Sequence, residues 1–144
     1  MPISIDKIVF TIFLVISAIQ DGRTKTISIW LFIVAGAAGL ILTFYTGQGL
    51  SNRLLGCLIG IAIVGISRFT DGAIGEGDGW FFAVSGLFLD FFTNLRLLVT
   101  SVFLSGIVCG GIYIYFLLKG KDMKNASVPF LPFLIPAWIS LVIL

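Results

Sequence analysis

Six apolar runs, at roughly residues 3–20, 27–46, 54–67, 79–92, 97–118 and 128–144, follow one another through the chain with only short polar breaks between them. A helix that crosses a bilayer needs about 20 mostly apolar residues. The pattern therefore predicts an all-α integral membrane protein, with about six transmembrane helices in a single bundle over residues 1–144 and no separate aqueous domain. The breaks are short enough to make neighbouring helices antiparallel. Only 11% of the residues are charged while 58% are hydrophobic, against roughly 25% charged in a water-soluble domain. Such a surface faces lipid. Asp6 and Lys7 offset one another at the head of the first run, and no small-residue cleavage site follows it. That run reads as a retained span rather than a secretory signal.

The same arithmetic removes several function classes. A net charge of +2, with nine scattered basic residues, gives no electrostatic footprint for nucleic acid. Histidine is absent, and Cys57 and Cys109 lie inside apolar runs with no C-x-x-C pair. Neither a zinc site nor a disulfide framework has support; the cysteines read as small core residues, and no metal or organic cofactor is expected. Basic residues instead report orientation. Arg23, Lys25, Arg68, Lys119, Lys121 and Lys124 fall in the first, third and fifth breaks, against Lys7, Arg53 and Arg96 on the other side. The positive-inside bias places the odd-numbered breaks in the cytoplasm and both chain ends outside.

Pairs of small residues mark where helices can approach: Ala35 and Gly39, Gly56 and Gly60, Gly106 and Gly110. The fourth run is short for a crossing. Pro129, Pro132 and Pro136 open the last run, where missing amide donors kink a helix and free carbonyls to line a cleft, or simply start it.

Chemistry rests with the acids. Five of the seven, Asp21, Asp71, Glu76, Asp78 and Asp122, fall in the breaks assigned to the cytoplasm. Asp21 closes the first span and Asp78 opens the fourth, so antiparallel helices bring both to the same depth on the same side. Two neighbouring carboxylates share one proton: the ionised member can deprotonate water while the protonated member polarises a carbonyl. Equally, Asp21 can pair with Arg23 or Lys25, and Asp78 can stabilise a helix amino terminus. Asp90 is expected to snorkel to the interface or to pair with Arg96, while Asp71 and Glu76 add negative charge that raises a dyad pKa, attracts a basic substrate segment, or is merely solvated. In Gly75-Glu76-Gly77-Asp78-Gly79, three glycines permit positive φ and close backbone approach, letting the chain bend and present Asp78. The segment has neither the lysine of a phosphate loop nor the spacing of a calcium loop.

Gly75-Glu76-Gly77-Asp78 resembles the G-x-G-D signature of the intramembrane aspartyl proteases, which include presenilin and the type IV prepilin peptidases. Asp21-Gly22-Arg23-Thr24-Lys25-Thr26-Ile27-Ser28-Ile29-Trp30 is similar to the D-x-R-x-x-x-I-P-N segment after the first catalytic aspartate of prepilin peptidases. Pro129-Phe130-Leu131-Pro132-Phe133 resembles their P-F-x-P-F run. Ser28 and Ile29 stand where the family usually has proline and asparagine, and Trp80 where a lysine commonly follows the second aspartate.

The resemblance is to short, peptidase-only members without the cytoplasmic methyltransferase portion. It implies a membrane aspartyl endopeptidase of the prokaryotic cytoplasmic membrane that cleaves the basic leader from a pilin-like precursor with a hydrophobic helix. It also implies catalysis by Asp21 and Asp78 on the cytoplasmic side, loop geometry set by Gly75 and Gly77, and substrate contact or pKa tuning by Arg23, Lys25 and Glu76. The competing class is a non-enzymatic membrane protein, a transporter subunit or an assembly factor. Against a transporter stands the lack of internal repeats and of polar residues at mid-span.

Overall fold

The computed structural model describes residues 4–72, 74–122 and 127–143. Residue 3 at the head of the first apolar run, Lys124 and Asn125 of the fifth break, and Leu144 lie outside the described residues. Within them the chain is all-helical: α1 (Ile5–Thr24), α2 (Ile29–Thr46), α3 (Leu50–Phe69), α4 (Glu76–Ser85), α5 (Phe91–Leu118) and, after a 3₁₀ turn at Leu131–Phe133, α6 (Leu134–Ile143). The six helices follow the six apolar runs in order.

Among the described residues, α2, α3 and α5 are the helices long and apolar enough to cross a membrane. The six expected helices are present, and three of them have the length and composition of a span. α4 has 10 residues, and at 1.5 Å per residue it reaches about 15 Å, half the thickness of the hydrocarbon. α1 is long enough, but its ends carry Asp6 and Arg23, with Asp21 in its last turn.

The fourth break is also displaced. Thr93 to Arg96, expected as a loop, form the opening turns of α5; the chain turns earlier, between Gly86 and Asp90. Asp90 does not pair with Arg96. It is the N-cap of α5, accepting bonds from the Thr93 amide at 3.2 Å and the Thr93 hydroxyl at 2.6 Å, which satisfies a donor that the first helical turn leaves free. Asn94, read as a loop residue, is fully buried. Its amide donates to the Gly56 and Phe82 carbonyls at 3.0 and 3.1 Å, and its oxygen accepts from the Ser85 hydroxyl at 2.7 Å. One buried side chain thereby ties α3, α4 and α5 together.

The most extensive helix contact, between α3 and α4, is built on missing side chains. A Cβ on Gly60 would lie 1.9 Å from the Ala83 nitrogen, and one on Gly56 would lie 2.9 Å from the Leu89 carbonyl oxygen. From the other side, a Cβ on Gly79 would meet the Val64 nitrogen at 2.8 Å and one on Gly86 the Cys57 nitrogen at 2.3 Å. The backbones touch as the small-residue spacing predicts. Gly39 likewise lets α2 approach Leu87, whereas Gly106 and Gly110 meet nothing within 4 Å. Gly60→Ala must push two backbones apart, a cost of about 1–3 kcal/mol or more, while Gly106→Ala gains up to about 1 kcal/mol of helix propensity. Thermal unfolding in detergent should separate the two, with the first variant destabilised and the second not.

An aromatic cluster closes the other side of α4. Phe13 of α1 stacks on Phe81 with centroids 4.9 Å apart, and Phe10 meets Trp138 of α6 edge-on at 4.8 Å. The Trp138 indole N–H donates to the Thr11 hydroxyl at 2.9 Å. The short α4 is thus held between α3 and the Phe10 and Phe13 rings of α1, on which Trp138 of α6 packs in turn.

At the end of α1 remote from Asp21, Asp6 and Arg53 form a buried ion pair at 2.8 Å. Arg53 also donates to the Leu87 carbonyl and to Gln48 Oε1. Its charge, counted above as a loop charge for orientation, is a packing element of α3.

Candidate functional site

Asp21 occupies the last turn of α1 and is 8% exposed. α1 stops one turn later because Lys25 adopts a left-handed backbone, φ 54°, and its N–H donates to the Asp21 carbonyl at 2.9 Å. This is the usual geometry of a helix carboxyl end, with a lysine where glycine is favoured. Gln20 Oε1 accepts from the Ser28 N–H at 3.0 Å and ties the returning chain to the same turn. The Asp21 carboxylate is itself oriented from far along the sequence: Oδ2 accepts the Leu131 N–H at 3.0 Å. Leu131 opens the 3₁₀ turn between Pro129 and Pro132, and the Pro132 ring lies 3.7 Å from where a Gly22 Cβ would stand. The proline run therefore supplies an amide donor to Asp21. Of the two expectations for the proline run, the helix start is the one that forms: a tight turn leads into α6 and aims an N–H at a carboxylate, with Pro129 on the cavity wall beside it.

Asp78 lies in the first turn of α4, outside the three helices long enough to span. Its N–H donates to the Gly75 carbonyl at 3.1 Å, and Gly75 is the N-cap with φ −59°. None of the three glycines at 75, 77 and 79 adopts positive φ, so their contribution is room rather than an unusual bend. A Cβ on Gly75 would sit 2.9 Å from Asp78 Oδ2 and crowd the carboxylate; one on Gly77 would make ordinary contact with Ile27 at 3.9 Å. The approach to α4 is fastened by the Ser67 hydroxyl, which donates to the Ile74 carbonyl at 2.6 Å.

Asp21 and Asp78 line one open cavity of about 350 Å³. Its walls come from the α1–α2 turn at Lys25, Thr26 and Ile27, from Gly75 and Gly77, and from Ser127 to Phe130. Burial first, and the negative charge of Asp21 second, push the Asp78 carboxyl up to about 7. Burial removes water that would solvate the anion, and the neighbouring carboxylate repels a second charge. Both outweigh the helix amino end, which favours an anion in the first turn. The result is two acids in one cavity, one of which holds its proton near neutrality.

Of the residues singled out in the sequence, the cavity gathers Asp21, Asp78, Gly75, Gly77 and Lys25. Arg23 and Glu76 are not among its lining residues. Arg23 lies exposed on the last turn of α1, and Glu76 Oε1 accepts from Arg68 Nη2 at 3.0 Å in a solvent-exposed pair. Neither Arg23 nor Lys25 forms an ion pair with Asp21 among the described residues. The Leu131 amide is not legible in the sequence, whereas the wall at Pro129 and Phe130 belongs to the proline run expected to line a cleft. The P-F-L-P-F run was the available signal, but a backbone donor carries no residue-type mark.

The profile of the type IV leader peptidase family matches residues 8–115, three quarters of the chain and both aspartates. Comparison with curated proteins and with solved structures finds no match. The match takes in α1 to α4 and most of α5, the segments that carry Asp21, Asp78 and their glycine-lined approach, and by it the chain belongs to the type IV leader peptidase family of proteases.

Proposed function

We propose that the chain is an aspartic-type endopeptidase of the prokaryotic cytoplasmic membrane, acting over residues 1–144 as one membrane-embedded unit. It removes the basic leader from a pilin-like precursor whose hydrophobic helix lies in the same membrane. The observation that carries this reading is the sharing of one cavity by Asp21 and Asp78 in a chain that matches a leader peptidase family. The ionised carboxylate accepts a proton from water as its oxygen attacks the scissile carbonyl; the protonated carboxyl donates a hydrogen bond to the carbonyl oxygen. The tetrahedral intermediate collapses when a proton passes to the departing amine, leaving a carboxylic acid on the leader and a free amino end on the mature protein. The six basic residues of the odd-numbered breaks, against Lys7 and Arg96 once Arg53 is set aside as the buried partner of Asp6, support a cytoplasmic site, on the side where a basic leader is retained.

The test is co-expression with a designed precursor: a lysine-rich leader ending in glycine, followed by an apolar helix of about 20 residues. A shift to the mature length supports the proposal; a precursor that stays intact at every expression level favours the non-enzymatic class.

The titration of Asp78 sets a pH dependence. The reaction needs one proton on the pair, and Asp78 loses its proton as the pH rises through about 7. Processing in isolated membranes should therefore decline on the alkaline side of neutrality, approaching a tenfold loss per pH unit well above it. A rate that holds level to pH 9 would remove Asp78 from the acid role.

The two signature glycines should behave differently. Gly75→Ala places a methyl group against Asp78 Oδ2, whereas Gly77→Ala finds ordinary contact. A carboxylate displaced by about 1 Å can cost on the order of 100-fold in rate. The first variant is expected to lose most processing and the second to keep it, read from initial rates in membranes.

A further inference from the structure

Two apolar grooves leave the aspartate cavity on opposite sides of α4. One, of about 430 Å³, lies against α5 and is lined by Ile63, Phe82, Leu98 and Val102, with Asp78 at its head. The other, of about 620 Å³, lies between α2 and α4, with Ile29, Phe32, Ile33, Trp80 and Val84 on its walls. The second joins the aspartate cavity through Ile27 and Gly77, which line both.

Apolar exposure alone marks nothing in a chain with lipid-facing helices. Both grooves share lining residues with the aspartate cavity; what sets the α2–α4 groove apart is its larger volume and its one charged residue. Glu76 stands at its mouth, one turn before Trp80, whereas the α4–α5 groove has no charged residue besides Asp78. The exposed Arg68 pairs with Glu76, and such a pair is weak enough to yield to another cation. A ligand with a cationic segment followed by an apolar helix matches this order: cation at Glu76, peptide bond at the aspartates, helix along Trp80 and Ile33.

We propose that the α2–α4 groove seats the apolar helix of the precursor, with Trp80 as a specificity-determining residue on its wall and Glu76 receiving the basic leader. The proposal rests on the leader-peptidase reading, yet it can be tested without turnover. A photo-crosslinking benzoyl-phenylalanine is placed at Ile33, or at Val102 in the other groove, in a chain also carrying Asp78→Asn, and the designed lysine-rich precursor is co-expressed. Crosslinking from Ile33 and not from Val102 is expected. Crosslinking from Val102, or from neither position, overturns the groove assignment. Failure of the peptidase reading has a separate signature, since the chain with both aspartates would then leave the precursor uncut whatever the crosslinks show.

In the turnover assay, Trp80→Ala should raise KM about tenfold, with kcat within about twofold, for the helix-bearing precursor. It should leave unchanged the cleavage of a peptide that carries the leader and scissile bond without the helix. Equal effects on both substrates would assign Trp80 to the cavity itself and remove it from helix recognition.

Discussion

Chains carrying Asp21→Asn or Asp78→Asn should leave the co-expressed precursor at full length, with rates down by about 10²–10⁴-fold, the range that a positioned acid or base supplies. The loss is expected to be chemical. Asparagine retains an oxygen that can accept the Leu131 N–H now received by Asp21 Oδ2, so the 3₁₀ turn keeps its anchor and thermal stability should change by only about 1 kcal/mol. Asp71→Asn is the matched control: Asp71 is exposed, lies outside the aspartate cavity and holds φ 51°, a backbone region that asparagine tolerates well. Processing by both asparagine variants at the rate of the unsubstituted chain, with folding intact, would mean that the shared cavity is not where peptide bonds are cut.

The second large effect concerns folding. Arg53→Leu should destabilise the protein by about 3–5 kcal/mol, because it strands the buried Asp6 carboxylate. Asp6 already has one oxygen without a partner, and the Leu87 carbonyl and Gln48 lose their donor as well. Substituting leucine at both positions should recover most of that loss, since the desolvation cost disappears together with the attraction. Unfolding in detergent of the single and double variants closes the cycle. Equal instability of the two would show that Arg53 acts through its carbonyl and Gln48 contacts rather than through Asp6. The pair stands 15 residues, about 22 Å along α1, from Asp21. A destabilised double variant that still processes its precursor would show that the two ends of the helix are independent.

Several features were legible because they depend on local pattern. Apolar runs of helical length give the six helices, and the scarcity of charge points the acids out. Gly56 and Gly60 show their role in their spacing, because close helix approach needs small residues on one face. Asp21 and Asp78 could be paired on paper since antiparallel neighbours return to the same side. Other features depend on where distant segments meet. Asn94 reads as a loop residue because amides prefer water, yet three carbonyl and hydroxyl partners from α3 and α4 make its burial favourable. Glu76 shares the motif with Asp78, but two steps along a helix turn a side chain by about 200°, and Glu76 points to Arg68.

By itself, then, the sequence determined the helical class, the order of the helices and the two acids worth watching, since each follows from residue type and near-neighbour spacing. Only the tertiary structure decided that α4 is half-length, that Arg53 is buried on Asp6, and that the Leu131 amide orients Asp21. It also decided which of the loop acids share a cavity. The physical reason is the same in each case: burial and hydrogen bonding are settled by partners far away in the chain, and Asp21 and Leu131 stand 110 residues apart.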